Sequence, residues 1–190
     1  MSKKKHKRLC PCGAKIYFDN CCKNPKEGET PEEVKKLINK VVKETFRKKG
    51  YYLGELCLYA SFLTKELLIE YGIKSYVVAG SSKWNGYPTF FKYIPHNESP
   101  QFHAWLVTEY GEKVDLACDA IEDRFDAYTL SGPKLGIKPP SYCWDKKLKD
   151  REYIERNIGA KSFPVDQKVL SGLIMTAKES LNRLEKKKRQ

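Results

Sequence analysis

Cys10, Cys12, Cys21 and Cys22 put four thiols within thirteen residues. Four soft sulfur ligands are what a tetrahedral zinc ion takes, each at about 2.3 Å. Gly13 relaxes the backbone where the loop must reverse between the two pairs. A segment this short has no core of its own, so a metal would supply its folding free energy. The competing reading is a cluster of free or oxidised thiols, but four cysteines this close in a chain without a disulfide pattern favour a structural zinc knuckle.

A second constellation is spread more widely. Cys57 stands near the start of an expected helix, where unpaired N–H groups and the helix dipole favour a thiolate, the form that attacks as a nucleophile. His103 and Asp115 follow further along the chain. A histidine beside such a thiol acts as base, and a carboxylate fixes its tautomer and stabilises the imidazolium. Each residue also has a plainer reading. Cys57 packs well inside a helix, His103 serves as a buried hydrogen-bonding residue, and Asp115 caps a turn. The three in helix-then-hairpin order improve the case for a site. Asp119 is a rival to Asp115. The Cys57 backbone N–H is one candidate oxyanion donor, and the Tyr51 or Tyr52 hydroxyl another.

The elements that must hold these groups are legible in outline. Residues 1–9 read as a disordered basic leader, 10–24 as the knuckle, and Asn24 to Gly28 as a linker. The body is then expected over 30–185. Thr30 as N-cap, Pro31 at the first helical position and Glu33 closing a capping box predict a helix ending at Gly50. A second helix is expected over 55–71, with Gly72 ending it, and a strand over 74–80. Residues 81–100 mix Gly and Pro with Trp84, Tyr87, Phe90 and Phe91, aromatics that either line a substrate groove or fold the loop onto the sheet. Two strands, 102–108 and 112–116, flank Tyr110-Gly111, and 119–150 read as irregular. A last helix is expected over 166–184. Cys118 and Cys143 read as buried structural thiols, and His96 as exposed.

The hairpin carries a test of the second constellation. A three-residue loop centred on Tyr110 sets residue 103 opposite residue 117 and puts Asp115 diagonal to His103 on one face. A two-residue turn at Tyr110-Gly111 sends Asp115 to the other face. A working triad therefore requires an odd loop or a bulge.

Two resemblances follow from these residues. Cys10-Pro-Cys-Gly followed by Cys21-Cys22, with aromatics between, resembles the SEC-C motif of the preprotein-translocase motor's tail. That likeness implies a zinc site at Cys10, Cys12, Cys21 and Cys22 and docking to a chaperone, ribosome or translocation partner. The loop here lacks the motif's second glycine and most of its lysines. Gly54-Glu-Leu-Cys57, Tyr76-Val-Val-Ala-Gly80, His103-Ala-Trp105 and Val114-Asp115 resemble the transglutaminase-like branch of the papain-like cysteine fold. That likeness implies an α+β fold, with helices packed on an antiparallel sheet, Cys57 as nucleophile, His103 as base and Asp115 as orienter. Where that family often continues with proline and threonine, this chain reads Leu116-Ala117-Cys118-Asp119.

Composition bounds the rest. Hydrophobic residues at 41% and aromatics at 12% suffice for a packed core, and twelve tyrosines favour a fold with strands. Nine of the twelve excess positive charges sit on Lys3, Lys4, Lys5, Lys7 and Arg8 at one end and Lys186, Lys187, Lys188 and Arg189 at the other. The body is thus close to balanced, which weakens a nucleic-acid reading and suits solvated tails. Seven cysteines, an odd number with a vicinal pair, suit a reducing compartment; no signal peptide or transmembrane segment is expected, and the chain reads as cytoplasmic. Three functions compete. One is cysteine-dependent acyl transfer or amide hydrolysis on a peptide or protein. Another is a non-catalytic adaptor tethered through the zinc knuckle, and the third is a nucleic-acid-associated zinc protein.

Overall fold

In the computed structural model the described residues are 8–84, 90–91, 93–96, 101–118, 142–149, 151–161 and 163–188. Helix α1, Glu32–Lys49, buries Val34, Ile38, Val41, Val42 and Phe46 at helical spacing and ends at Gly50, whose φ of 68° is the left-handed cap expected there. Helix α2, Cys57–Ile69, buries residues on more than one face. It lies against strands on one side and the last helix on the other, so a single stripe would not have served it. Its hydroxyls are satisfied within the helix, Ser61 on the Cys57 carbonyl and Thr64 on that of Ala60. Helix α3, Gln167–Lys188, is capped by Asp166, whose Oδ1 accepts from the N–H groups of Lys168 and Val169.

The strands are β1 (Ser75–Trp84), β2 (Phe90–Phe91), β3 (His103–Thr108), β4 (Lys113–Asp115), β5 (Cys143–Asp145) and β6 (Arg151–Ile158). Every pairing is antiparallel, in the order β2-β1-β3-β4-β5, with β6 also paired to β1. The chain is α+β, its helices packed on an antiparallel sheet. Strands β5 and β6 lie outside the sequence expectation, which left 119–150 irregular and assigned nothing to 151–158.

Alternation along β3 divides the molecule into layers. Ala104 and Leu106 join the helices in the main core. Trp105 and Val107 face the other way and pack with Tyr76 and Val78 of β1 against Cys10, Phe18 and Cys22. The cysteine segment is therefore seated on the second face of the sheet, where the sequence suggested a module joined by a linker. Phe18 meets Tyr76 edge to face at 5.5 Å. Lys65 Nζ donates to the Pro11 carbonyl at 3.0 Å, and Lys26 is tied to Glu109 by backbone and side chain. Arg8 and Leu9, assigned to the leader by sequence, belong to this layer: Arg8 accepts a hydrogen bond from the Phe18 N–H, and Leu9 bridges to Tyr17.

The expected capping box of α1 does not form. The Thr30 hydroxyl donates to Glu112 Oε2 at 2.6 Å and its N–H to Oε1 at 3.1 Å. Glu112 is almost wholly buried and also accepts from Thr108 and from Lys35 at 3.1 Å. A charged acceptor from a distant turn outcompetes the local cap, since hydrogen bonds to charge are the stronger ones.

Candidate functional site

Strands β3 and β4 pair Leu106 with Val114 and Val107 with Lys113. Thr108 N–H donates to the Glu112 carbonyl at 3.0 Å, closing a three-residue loop of 109–111. This is the odd loop that the sequence argument required, and the register places Asp115 diagonal to His103 on one face. The two side chains meet: His103 Nε2 lies 2.8 Å from Asp115 Oδ2, both almost fully buried.

Asp115 has two further donors. Its Oδ1 accepts from the Ala117 N–H at 3.0 Å and its Oδ2 from the Tyr153 hydroxyl at 2.7 Å. Burial alone would push the carboxyl up. The His103 charge and hydrogen bond, the Tyr153 hydroxyl and the Ala117 N–H reverse this and hold it below its usual value. Burial also opposes a charge on His103. The Asp115 carboxylate and its hydrogen bond, with a hydrogen bond to the Cys57 thiol, outweigh it and raise the imidazole from 6.5 to about 10. At neutral pH the pair is an imidazolium on a carboxylate.

Cys57 is the first residue of α2, and no acidic residue in the first turn opposes the positive end of that helix. Its thiol reaches the His103 ring. Because Nε2 is engaged by Asp115, Nδ1 is the ring nitrogen left to the sulfur. The three residues singled out by sequence thus stand in one chain of contacts, Cys57 to His103 to Asp115. Asp119, the rival orienter, lies outside the described residues, as do Tyr87 and the side chains of Trp84, Phe90 and Phe91. Tyr51 and Tyr52 are exposed on the loop ahead of α2.

Sequence reasoning missed what stands behind Asp115. Strand β6 delivers Arg151 and Tyr153, two apart and so on one face. Tyr153 packs on Trp105 at 4.9 Å and tilts toward His103 at 6.1 Å. Arg151 Nη1 donates to Cys118 Sγ at 3.1 Å. Cys118 and Cys143 are buried beside them, as expected, with Cys143 directly opposite Asp115 in the sheet, and His96 is exposed. The β1–β6 register shifts at a bulge between Ala79 and Gly80. A Cβ on Gly80 would fall on the Ile154 carbonyl oxygen and the Trp105 ring.

The second cluster is the four-cysteine knuckle. All four sulfurs lie within 4.8 Å of one another. Cys12 and Cys21 are 3.6 Å apart, and Cys21 and Cys22 3.8 Å. A tetrahedron with bonds of about 2.3 Å has edges of about 3.8 Å, so these spacings fit a thiolate-bound metal. Burial opposes a thiolate at Cys10, but the N–H groups of Cys12 and Cys22 overcome it and lower the thiol. Burial pushes Cys12 up to about 11, and burial with the crowding of Cys10 and Cys12 pushes Cys22 higher still. A cation is what such a crowded set lacks. The cluster is a site that could hold a metal ion through Cys10, Cys12, Cys21 and Cys22.

No helix among the described residues is long and apolar enough to cross a membrane. No protein-family model matches the chain, and no curated protein matches it. A solved structure described as "The crystal structure of genomics APC5867" shares the fold with a TM-score of 0.52, at 18% identity over 84% of this chain and 82% of that one.

Proposed function

We propose that the protein is a cysteine-dependent enzyme acting on amides of peptides or proteins by acyl transfer or hydrolysis. The order of helix with cysteine, strand with histidine and strand with aspartate resembles the transglutaminase-like branch of the papain-like fold, and that resemblance supports the reading. The observation that carries the reading is the contact chain from the Cys57 thiol through His103 to a carboxylate kept ionised by three donors. Cys57 reacts as the thiolate, its proton carried by the His103 imidazolium that Asp115 stabilises. Cys57 Sγ then attacks the carbonyl carbon, whose π electrons move to oxygen, with the Cys57 N–H as a candidate donor to that oxyanion. As the carbonyl re-forms, the C–N bond breaks, and His103 gives its proton to the departing amine, leaving a thioester. Water or a second amine, deprotonated by His103, attacks the thioester, and the C–S bond breaks to return the Cys57 thiolate beside the His103 imidazolium.

Alkylation by iodoacetamide, mapped by peptide mass spectrometry, tests this. Cys57 should react selectively near neutral pH, and His103→Ala should slow it by about 10²-fold. If Cys57 reacts no faster than buried Cys143, the enzyme reading fails.

The knuckle belongs to the same proposal as a SEC-C-like zinc site. Zinc suits four thiolates, and its role there is structural, since all four positions are filled by sulfur. A second reading, an adaptor for a chaperone, ribosome or translocation partner, is favoured by one observation. Leu9, Ile16 and Tyr17 are exposed on the knuckle at 60%, 47% and 43%. Replacing Leu9 and Ile16 with serine should then abolish pull-down of that partner while the metal content stays the same. For a nucleic-acid partner, affinity should fall steeply with salt.

A further inference from the structure

We propose that Tyr153 is the positioning residue of the site, acting through Asp115 on His103; this rests on the reading of Cys57, His103 and Asp115 given above. Oδ1 of Asp115 is fixed by its own turn, through the Ala117 N–H. That single bond leaves the carboxylate plane free to swing away from His103. The Tyr153 hydroxyl, 2.7 Å from Oδ2, arrives from β6 and fixes that plane. Oδ2 then receives both Tyr153 and His103 Nε2, so the two donors converge on one oxygen.

The placement of this hydroxyl is built by several residues. The Tyr153 ring leans on Trp105, which is wholly buried. Tyr153 is opposite Ser82 in the β1–β6 register, just past the bulge at Ala79/Gly80. Gly80 is the residue that allows β6 close enough, because any side chain there would meet Ile154 and Trp105. A tyrosine suits the role because its ring packs rigidly while its hydroxyl satisfies a buried acceptor. Without that donor the carboxylate is less stabilised, its protonation moves to higher pH, and the imidazolium loses its fixed partner.

The test is the pH profile of Cys57 alkylation in the full, metal-loaded chain, with the 15N resonances of the His103 ring as an independent readout. Tyr153→Phe keeps the ring on Trp105 and removes only the hydroxyl. The acid limb of the alkylation profile should move to higher pH and the rate near neutrality fall about tenfold, the effect of one hydrogen bond to a charged group. A role in packing alone would leave the limb where it is. In an Asp115→Ala background, Tyr153→Phe should change the rate no further, because Tyr153 acts through Asp115. If Tyr153→Phe leaves both the profile and the His103 resonances as in the wild type, or if the two substitutions simply add, the proposal is overturned. If His103→Ala does not slow Cys57, the enzyme reading falls separately. The His103 resonances still decide Tyr153: a shifted titration in Tyr153→Phe upholds it and an unchanged one ends it.

Discussion

At the scale of single residues, the His103–Asp115 pair sets the pH dependence. His103 is raised from 6.5 to about 10. Its contribution to stability is therefore complete below pH 6.5 and is lost as pH rises through about 10. Asp115 is lowered, so its contribution is complete above its ordinary value near 3.8 and disappears only in strong acid. The urea midpoint of the wild type, referred to that of His103→Gln, should fall between pH 6.5 and 10 and be level between 5 and 6.5. A level difference throughout would show that the ring carries no charge. Asp115→Ala strands the imidazolium in the interior and should cost about 3–5 kcal/mol in chemical denaturation. The pairing was legible only in part: a strand period of two tied it to loop length, and the sequence left a three-residue loop and a two-residue turn both open. Tyr153 was not legible, since nothing local to it points to residue 115.

At the scale of elements, two features lay beyond sequence reading for one reason: the partner is far away in the chain. Strand β6 has exposed Glu152 and Glu155 and no clean alternation, and it becomes a strand by pairing with β1. Thr30 carries the mark of an N-cap, yet a buried carboxylate from residue 112 takes both its donors. Helices α1 and α3, by contrast, were readable from stripes and terminal residues, because their signals are local. Glu112→Ala should cost about 3–5 kcal/mol by taking from the Lys35 charge its near acceptor and leaving it only Glu29 at 4.0 Å. Thr30→Val, measured beside it, should cost about 1–3 kcal/mol, as one buried hydrogen bond is removed. Gly80→Ala should displace β6 from β1, and its signature would be a loss of near-ultraviolet dichroism from Trp105 and Tyr153.

At the scale of the whole molecule, the sheet has helices on one face and the cysteine knuckle on the other. Native mass spectrometry should find one zinc per chain. Stripping it with a chelator should lower the thermal midpoint of the entire protein, not of a separate small transition. Deleting residues 1–24 uncovers Tyr76, Val78, Trp105 and Val107 together, and the truncated chain should bind a hydrophobic dye that the intact protein ignores. The four cysteine positions were plain in the sequence, but their seat was not, since short spacing says how ligands can meet and nothing of what lies beneath them.

That seat has a consequence for synthesis. The knuckle is made early, yet the surface that receives it includes Trp105 of β3 and Tyr153 and Ile158 of β6. At ordinary translation rates roughly seven to twenty-seven seconds separate Cys22 from Ile158. Through that interval the thiols can be held only by one another or by an ion, while the sheet that will cover them is still being built. An ion captured in the nascent chain would guard four cysteines from wrong partners until the last strand arrives, and its supply during translation, rather than afterwards, would set how much protein folds correctly.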